Sequence, residues 1–279
     1  MADIVARLEA LATRRETPCG QGAMVWHVWG EGSGHQPPVV LFHGGSGSWT
    51  HWLRNIGPLV AAGRQVIAAD LPGFGDSAMP PSGGDAYALV APLAEGLSGL
   101  LGGVPFDLVG FSFGGMTAGM LLAEHPALAR RLVLVGAPAM GVTPDRQFEL
   151  KAWRHLPAAE QADVHRFNLG ALMLRDTALI DGLALELHVA NLKRDRMPRR
   201  RLAHTDILAR SLARVSRPVH AIYGAHDALY KGWISQLEAA YQAAAPDFRG
   251  LTLIPDTGHW VQFERPDAFD DALLAVLAP

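Results

Sequence analysis

The sequence predicts an α/β fold with a mainly parallel sheet, helices on both faces and an inserted helical cap. Three observations lead there. Short apolar, β-branched runs ending in turn residues recur at Val39–Phe42, Val66–Ala69, Phe106–Val109, Leu132–Val135, Val219–Tyr223 and Leu251–Ile254, and read as buried strands. Helical patterns lie between most of them, at Tyr87–Leu101, Gly114–Glu124, Gly232–Ala244 and Pro266–Leu277, with Pro266 suited to a first helical turn. Such alternation implies parallel strands joined by helical crossovers. It fails between Ala139 and Leu212, where the pattern is helical without a convincing strand. The core domain is therefore expected in 1–138 and 213–279, and the cap in 139–212.

Composition bounds the function. The chain has 279 residues, 49% of them hydrophobic, enough for a sizeable core. Lys and Arg total 24 against 27 Asp and Glu, so no basic excess favours nucleic acid. The expected cap does carry more Lys and Arg than Asp and Glu, mostly in the run Lys193–Arg201. That run reads first as a solvated face or interhelical loop, and second as a lure for an anionic substrate. Cys19 is the single cysteine, which excludes an intramolecular disulfide and a Cys-x-x-Cys metal site. No two histidines have helix-face metal spacing beside a carboxylate, so neither metal nor other cofactor is expected. The first twenty residues hold acids among their apolar positions and no apolar run of about 18 residues occurs, so a cytoplasmic protein without a membrane span is expected.

The strongest local signal is Gly110-Phe111-Ser112-Phe113-Gly114-Gly115, placed directly after the strand FDLVG and before the helical run MTAGMLLAEH. A strand entering a helix through so sharp a turn presents its central side chain above the sheet edge, and the flanking glycines leave room for it. Ser112 is thereby offered as a nucleophile. A serine hydroxyl needs a base, and the base needs an acid to orient it. In the order Ser, acid, His, the chain supplies Asp227 in Gly224-Ala225-His226-Asp227 after the strand VHAIYG, and His259 in Asp256-Thr257-Gly258-His259-Trp260 after LTLIP. Both follow the C-terminal ends of strands, where open α/β sheets place their sites.

A tetrahedral intermediate also needs donors for its oxyanion. Phe113 offers the N–H after the nucleophile, and the loop His43-Gly44-Gly45-Ser46-Gly47 offers Gly45. This loop lacks the Lys-Ser/Thr ending of a phosphate-binding loop. His43 reads as a structural hydrogen-bonding residue and His226 as a neighbour of the acid. His51 reads either as pocket lining or as a helix start, and Trp153, Phe167 and Met173 either as cap core or as substrate wall.

Taken together, FHGGSGSW, AADLPGFGDS, GFSFGG, YGAHD and DTGHW resemble the α/β-hydrolase family over nearly the whole chain. The resemblance implies an eight-stranded, mainly parallel sheet with a helical cap after the sixth strand. It sets the chain apart from dehalogenases and epoxide hydrolases, which carry Asp where this chain has Ser112. Within the family, SGSWTHWLRNIGPL and His259-Trp260 look like the meta-cleavage product hydrolases, which split carbon–carbon bonds in ring-fission products. Those enzymes usually carry Asn before the nucleophile, a second Asn after the oxyanion glycine and an Arg in the cap. The corresponding residues here are Phe111, His51 and His188, with Arg194 or Arg196 as alternative cations.

The function expected from the sequence is therefore a metal-free serine hydrolase of a small, largely apolar carbonyl compound, a carboxylic ester first. Carbon–carbon hydrolysis of a 2-hydroxy-6-oxo-dienoate, amide hydrolysis and ligand sensing are the alternatives. Gly44, Ser46, His51, Phe111, His188 and Trp260 are the expected substrate contacts. The partner is a small molecule, with no nucleic acid and no membrane, and the chain is either a monomer or a homodimer.

Overall fold

The computed structural model describes residues 2–32, 36–144 and 148–278. A first helix, α1 (Ala2–Leu11), is tied down by Trp29, whose Nε1 donates to the Leu8 carbonyl. Then come β1 (Thr13–Cys19), β2 (Gly22–Trp29), β3 (Val39–Phe42), α2 (Ile56–Ala61) and β4 (Val66–Ala69). The middle of the chain runs through α3 (Val90–Leu101), β5 (Asp107–Phe111), α4 (Phe113–Glu124) and β6 (Arg131–Val135). After β6 follow α5 (Ala158–Asn168), a π turn at Leu169–Met173, α6 (Leu183–Lys193) and α7 (Ile207–Leu212). The chain closes with β7 (Val219–Gly224), α8 (Leu237–Ala244), β8 (Phe248–Ile254), α9 (Val261–Glu264) and α10 (Pro266–Leu277).

The eight strands form one sheet in the order β1-β2-β4-β3-β5-β6-β7-β8. β1 and β2 pair antiparallel, as do β2 and β4, and every other pair is parallel. All six predicted strands are present, and β1 and β2 join them. β1 escapes a hydrophobic reading because TRRETPC is an edge strand whose first four side chains are exposed.

Both faces of the inner parallel strands, β3 to β7, are buried, while the edge strand β8 is half-exposed. Val40 and Phe42 point into one apolar cluster, while Val39 and Leu41 point into the other, and the alternation repeats along β5, β6 and β7. α4 is buried at every position from Phe113 to Ala123, because the sheet covers one side and α7 the other. A Cβ on Gly119 would stand 2.3 Å from Leu208 Cδ1, so that glycine admits α7. α7 thus packs on the core, while α6 leans on the loop after β3, where Ser48 and Thr50 exchange hydrogen bonds with Asn191. Among the described residues of 139–212 there is no strand.

At the far end of the strands, Asp107 is a fully buried carboxylate facing Arg64, with Arg131 Nε at 3.2 Å. Arg64 also donates to the carbonyls of Pro37 and Leu277, joining β3, β4, β5 and the C-terminal helix. No described helix is long and apolar enough to cross a membrane.

The strand order decides where a site can form. From β3 the chain moves to β4 on one side, and from β4 it returns to β5 on the other side of β3. The loops leaving the C-terminal ends of β3 and β5 therefore diverge and leave a crevice between them.

Candidate active site

Ser112 stands at that crevice, between β5 and α4, with φ +51° and ψ −119°. A side chain rarely adopts such a backbone, and it persists only where the surroundings impose it. Here they do. The Ser112 amide donates to the Val135 carbonyl at 2.7 Å, and its carbonyl accepts from Gly115 and Met116 as α4 begins. The tightness of the turn explains its glycines: a Cβ on Gly114 would lie 2.4 Å from the His43 carbonyl oxygen.

His259 and Asp227 reach Ser112 from β8 and β7. His259 Nε2 is 2.9 Å from Ser112 Oγ, and His259 Nδ1 is 2.8 Å from Asp227 Oδ2. The other Asp227 oxygen accepts the Leu229 amide at 2.9 Å. That leaves the carboxylate one direction in which to receive the imidazole N–H, so Nε2 keeps its lone pair for the serine proton. Asp227 and His259 are 1% and 2% exposed, so water competes weakly for the bond between them. His226 lies outside the chain of contacts, half-exposed, 3.9 Å from Asp256.

The loop after β3 passes over the other side of Ser112. Gly44 packs so closely that a Cβ there would meet the Phe111 ring at 2.9 Å and Ser112 Cβ at 3.2 Å. Its amide is taken by His51 Nδ1 at 3.2 Å, which leaves Gly45 as the loop's candidate oxyanion donor alongside Phe113. His43 holds the loop from within: Nδ1–H donates to the Gly44 carbonyl, while Nε2 accepts the Leu71 amide. Burial pushes the His43 imidazole down to about 4, so it is a neutral hydrogen-bonding strut. Asp70, at the end of β4, accepts the amides of Trp49 and Asp76 and so fixes both neighbouring loops.

Two cavities flank this loop. One, of about 250 Å³, contains Ser112, His259, Gly45, Phe113, Phe148 and Arg200 in its wall. The other, of about 540 Å³, is lined by His51, His188, Asn168 and Trp153, and shares Gly45, Ser46, Leu172 and Met173 with the first. Burial holds His51 well below the ordinary imidazole range and His188 at about 4, so both imidazoles are neutral near pH 7. With Nδ1 accepting from Gly44, His51 carries its proton on Nε2. Met173 lines both cavities and Trp153 the second, whereas Phe167 is exposed beneath the Lys151 ammonium.

The expected substrate contacts separate accordingly. His51 and His188 meet at one cavity although 137 positions apart in sequence would not announce it. Phe111 is wholly buried between Gly44, His51 and His259, with its ring 5.0 Å from that of His259. Trp260 is in the wall of neither cavity: it is 1% exposed, stacked on Phe263, and donates to the His51 carbonyl. Arg194 and Arg196 are in neither wall either. Arg194 pairs with Asp76, and Arg196 is spent on the carbonyls of Phe74, Gly75 and Ser77, because backbone oxygens of that loop point at the turn after α6. Among the described residues, the arginine lining the cavity of Ser112 is Arg200, which sequence reasoning passed over as one of three consecutive arginines. Among the described residues no cluster of His, Cys, Asp or Glu could hold a metal ion.

Known proteins resemble the chain over most of its length. It is 29% identical over 266 residues to a 2-hydroxy-6-oxo-6-phenylhexa-2,4-dienoate hydrolase of Burkholderia cepacia, covering 88% of this chain and 89% of the other. It is 27% identical, with the same coverage, to a 2-hydroxy-6-oxononadienedioate/2-hydroxy-6-oxononatrienedioate hydrolase of Comamonas testosteroni. A carboxylesterase from Bacillus subtilis shares the fold, with a TM-score of 0.78, 16% identity and 99% and 96% of the two chains covered. The alpha/beta hydrolase family model matches residues 39–272, from β3 into the last helix. The match takes in the whole parallel half of the sheet with every loop that borders the crevice, and this chain belongs to the alpha/beta hydrolase family.

Proposed function

We propose that the protein cleaves an elongated carbonyl compound through an acyl-enzyme on Ser112. Neutral His259 takes the Ser112 proton as Oγ attacks the carbonyl carbon, Asp227 orients the imidazole and stabilises its charged form, and the amides of Gly45 and Phe113 receive the oxyanion. The imidazolium returns its proton to the departing group. Water, deprotonated by His259, then releases the acid and restores Ser112. The segment from Ala139 to the start of α7 acts as a cap that bounds the substrate cavities.

For the substrate class we favour a carbon–carbon bond of the 2-hydroxy-6-oxo-dienoate type. One observation carries this reading: relatives that align over 88% of this chain bear such names. Breaking that bond leaves the electron pair on carbon. The enol must therefore first become the ketone, losing its hydroxyl proton as carbon 5 gains one, so that the carbonyl at carbon 2 can accept the pair through the intervening double bond. The His259 imidazolium then protonates the dienolate oxygen. A carboxylic ester is the second reading, favoured by Phe111, His51 and His188, which place an apolar ring and two neutral imidazoles where a dienolate would be met by amides and a guanidinium. An amide would use the same groups.

The test compares kcat/KM for 2-hydroxy-6-oxo-6-phenylhexa-2,4-dienoate, a p-nitrophenyl ester series and a p-nitroanilide, with Ser112→Ala as control. A dienoate preference of orders of magnitude supports carbon–carbon hydrolysis. An inert dienoate beside active esters overturns it in favour of the second reading. Turnover retained by Ser112→Ala overturns both.

A further inference from the structure

We infer that Arg200 is a positioning residue for the oxyanion hole: a guanidinium supplied by the segment between α6 and α7 that sets the backbone of Gly45 and Ser46 against Phe113. The inference rests on the reading of Ser112 as nucleophile with Gly45 and Phe113 as oxyanion donors.

Three contacts close into a ring. Arg200 Nη1 spans both oxygens of Asp195 at 2.9 and 3.1 Å, Arg200 Nη2 donates to Ser46 Oγ at 3.1 Å, and Ser46 Oγ donates to Asp195 Oδ2 at 2.5 Å. The carboxylate is itself anchored, since its Oδ1 accepts the Met197 amide at 2.8 Å, and Arg200 Nη1 also donates to the Met197 carbonyl. Asp195 and Arg200 are 4% and 17% exposed at their side chains, so water competes weakly for these bonds.

What the ring holds is a backbone that needs holding. Ser46 has φ +52°, a conformation that a residue with a Cβ rarely adopts unless its neighbours impose it. Gly45, next to it, is wedged between Arg200 and Phe113: a Cβ there would stand 3.3 Å from Arg200 Nη2 and 3.6 Å from Phe113 Cβ. The guanidinium also lies over the Phe113 and Phe74 rings, at 5.4 and 5.0 Å from their centroids. One side chain therefore touches both residues whose amides face the developing oxyanion. Asp195 already balances its charge, so Arg200 acts by placing the donors rather than by attracting an anionic substrate.

The experiment uses the fastest substrate of the panel above, together with a trifluoromethyl ketone that forms a tetrahedral adduct on Ser112 and the matching alcohol as a ground-state mimic. Arg200→Met is expected to lower kcat roughly 10–100-fold, as misplaced donors do, with KM changed less than threefold. Affinity for the ketone should fall by the same factor while that for the alcohol holds. Arg200→Lys should recover part of kcat. The double variant Ser46→Ala/Arg200→Met should be no slower than the slower single one, because both break the same ring. Asp195→Asn should show the same kcat-selective loss, and carries the test if Arg200→Met does not fold. Wild-type kcat in Arg200→Met, a loss confined to KM, or equal loss of ketone and alcohol affinity would overturn the inference. So would additive single effects in the double variant. Turnover in Ser112→Ala overturns the nucleophile assignment and this inference with it, whereas an inactive Ser112→Ala beside a fast Arg200→Met removes the inference alone.

Discussion

Replacing Asp227 by Asn exchanges one oxygen for an NH₂ group and removes the charge beside His259. The carboxylate accepts from the Leu229 amide at 2.9 Å on one oxygen and from His259 Nδ1 at 2.8 Å on the other. An asparagine has one acceptor and one donor end. If its oxygen faced His259, its NH₂ would face the Leu229 N–H, a buried donor–donor contact costing about 1–3 kcal/mol. The satisfied arrangement points the NH₂ at His259 Nδ1, which then must carry a lone pair, so the ring proton moves to Nε2 and points at Ser112 Oγ. In that tautomer His259 cannot accept the serine proton. The expected loss in kcat is on the order of 10³–10⁴, or about 4–5.5 kcal/mol in barrier, the size seen when a triad acid is replaced by its amide. Stability should change little, because shape and hydrogen-bond count are kept. Single-turnover kinetics report the acylation rate, and a melting curve reports the fold. A loss below tenfold with an unchanged melting temperature would refute the reasoning, since it would mean His259 keeps its working tautomer without Asp227.

Three further outcomes follow from buried groups. Asp107→Ala strands the Arg64 guanidinium, 3% exposed at its side chain, without its carboxylate, and should cost about 3–5 kcal/mol in urea unfolding while kcat at low temperature stays near wild type; a cost below 1 kcal/mol would refute the ion cluster's role. His43 and His188 bind protons less readily folded, at about 4, than unfolded, near 6.5. The unfolded chain therefore takes up more protons between those values. Stability is full above pH 6.5 and falls as the pH drops toward 4, and His188→Gln should flatten that decline in a pH series of melting temperatures; an unchanged slope would count against burial of a neutral His188. Asp270 is shifted the other way, up to about 6, chiefly by burial, while it accepts from Asn55 Nδ2 at 2.8 Å. Its folded pKa exceeds its unfolded one, so that contribution is present below pH 3.8 and lost as the pH rises through 6. Asp270→Asn should raise the melting temperature at pH 8 and leave it nearly unchanged at pH 4.

The parallel half of the fold and the candidate triad were legible in the sequence for the same reason. A strand buried on both faces is written as an unbroken apolar run, and a strand-to-helix turn with φ +51° at its centre demands glycines around one exposed side chain. Ser112 and Asp227 follow such strands and His259 follows the half-exposed edge strand β8, whose run LTLI is still apolar, so local patterns sufficed to single them out. β1 was hidden, because a polar edge strand is specified by its pairing with β2 and carries no core pattern of its own.

What only the tertiary structure decided is how distant loops divide the work around Ser112. Of the basic residues between Lys193 and Arg201, sequence cannot say which faces the cavity; the path of the chain after α6 sends Arg194 and Arg196 to the loop 74–77 and Arg200 to Ser46. Trp260, next to His259, is in the wall of neither cavity, while His188, far away in sequence, is in one. Local sequence determines which residues can form a strand, a turn or a nucleophile. Which cation, imidazole or ring ends up beside that nucleophile depends on contacts between segments over a hundred positions apart, and those exist only once the chain has packed.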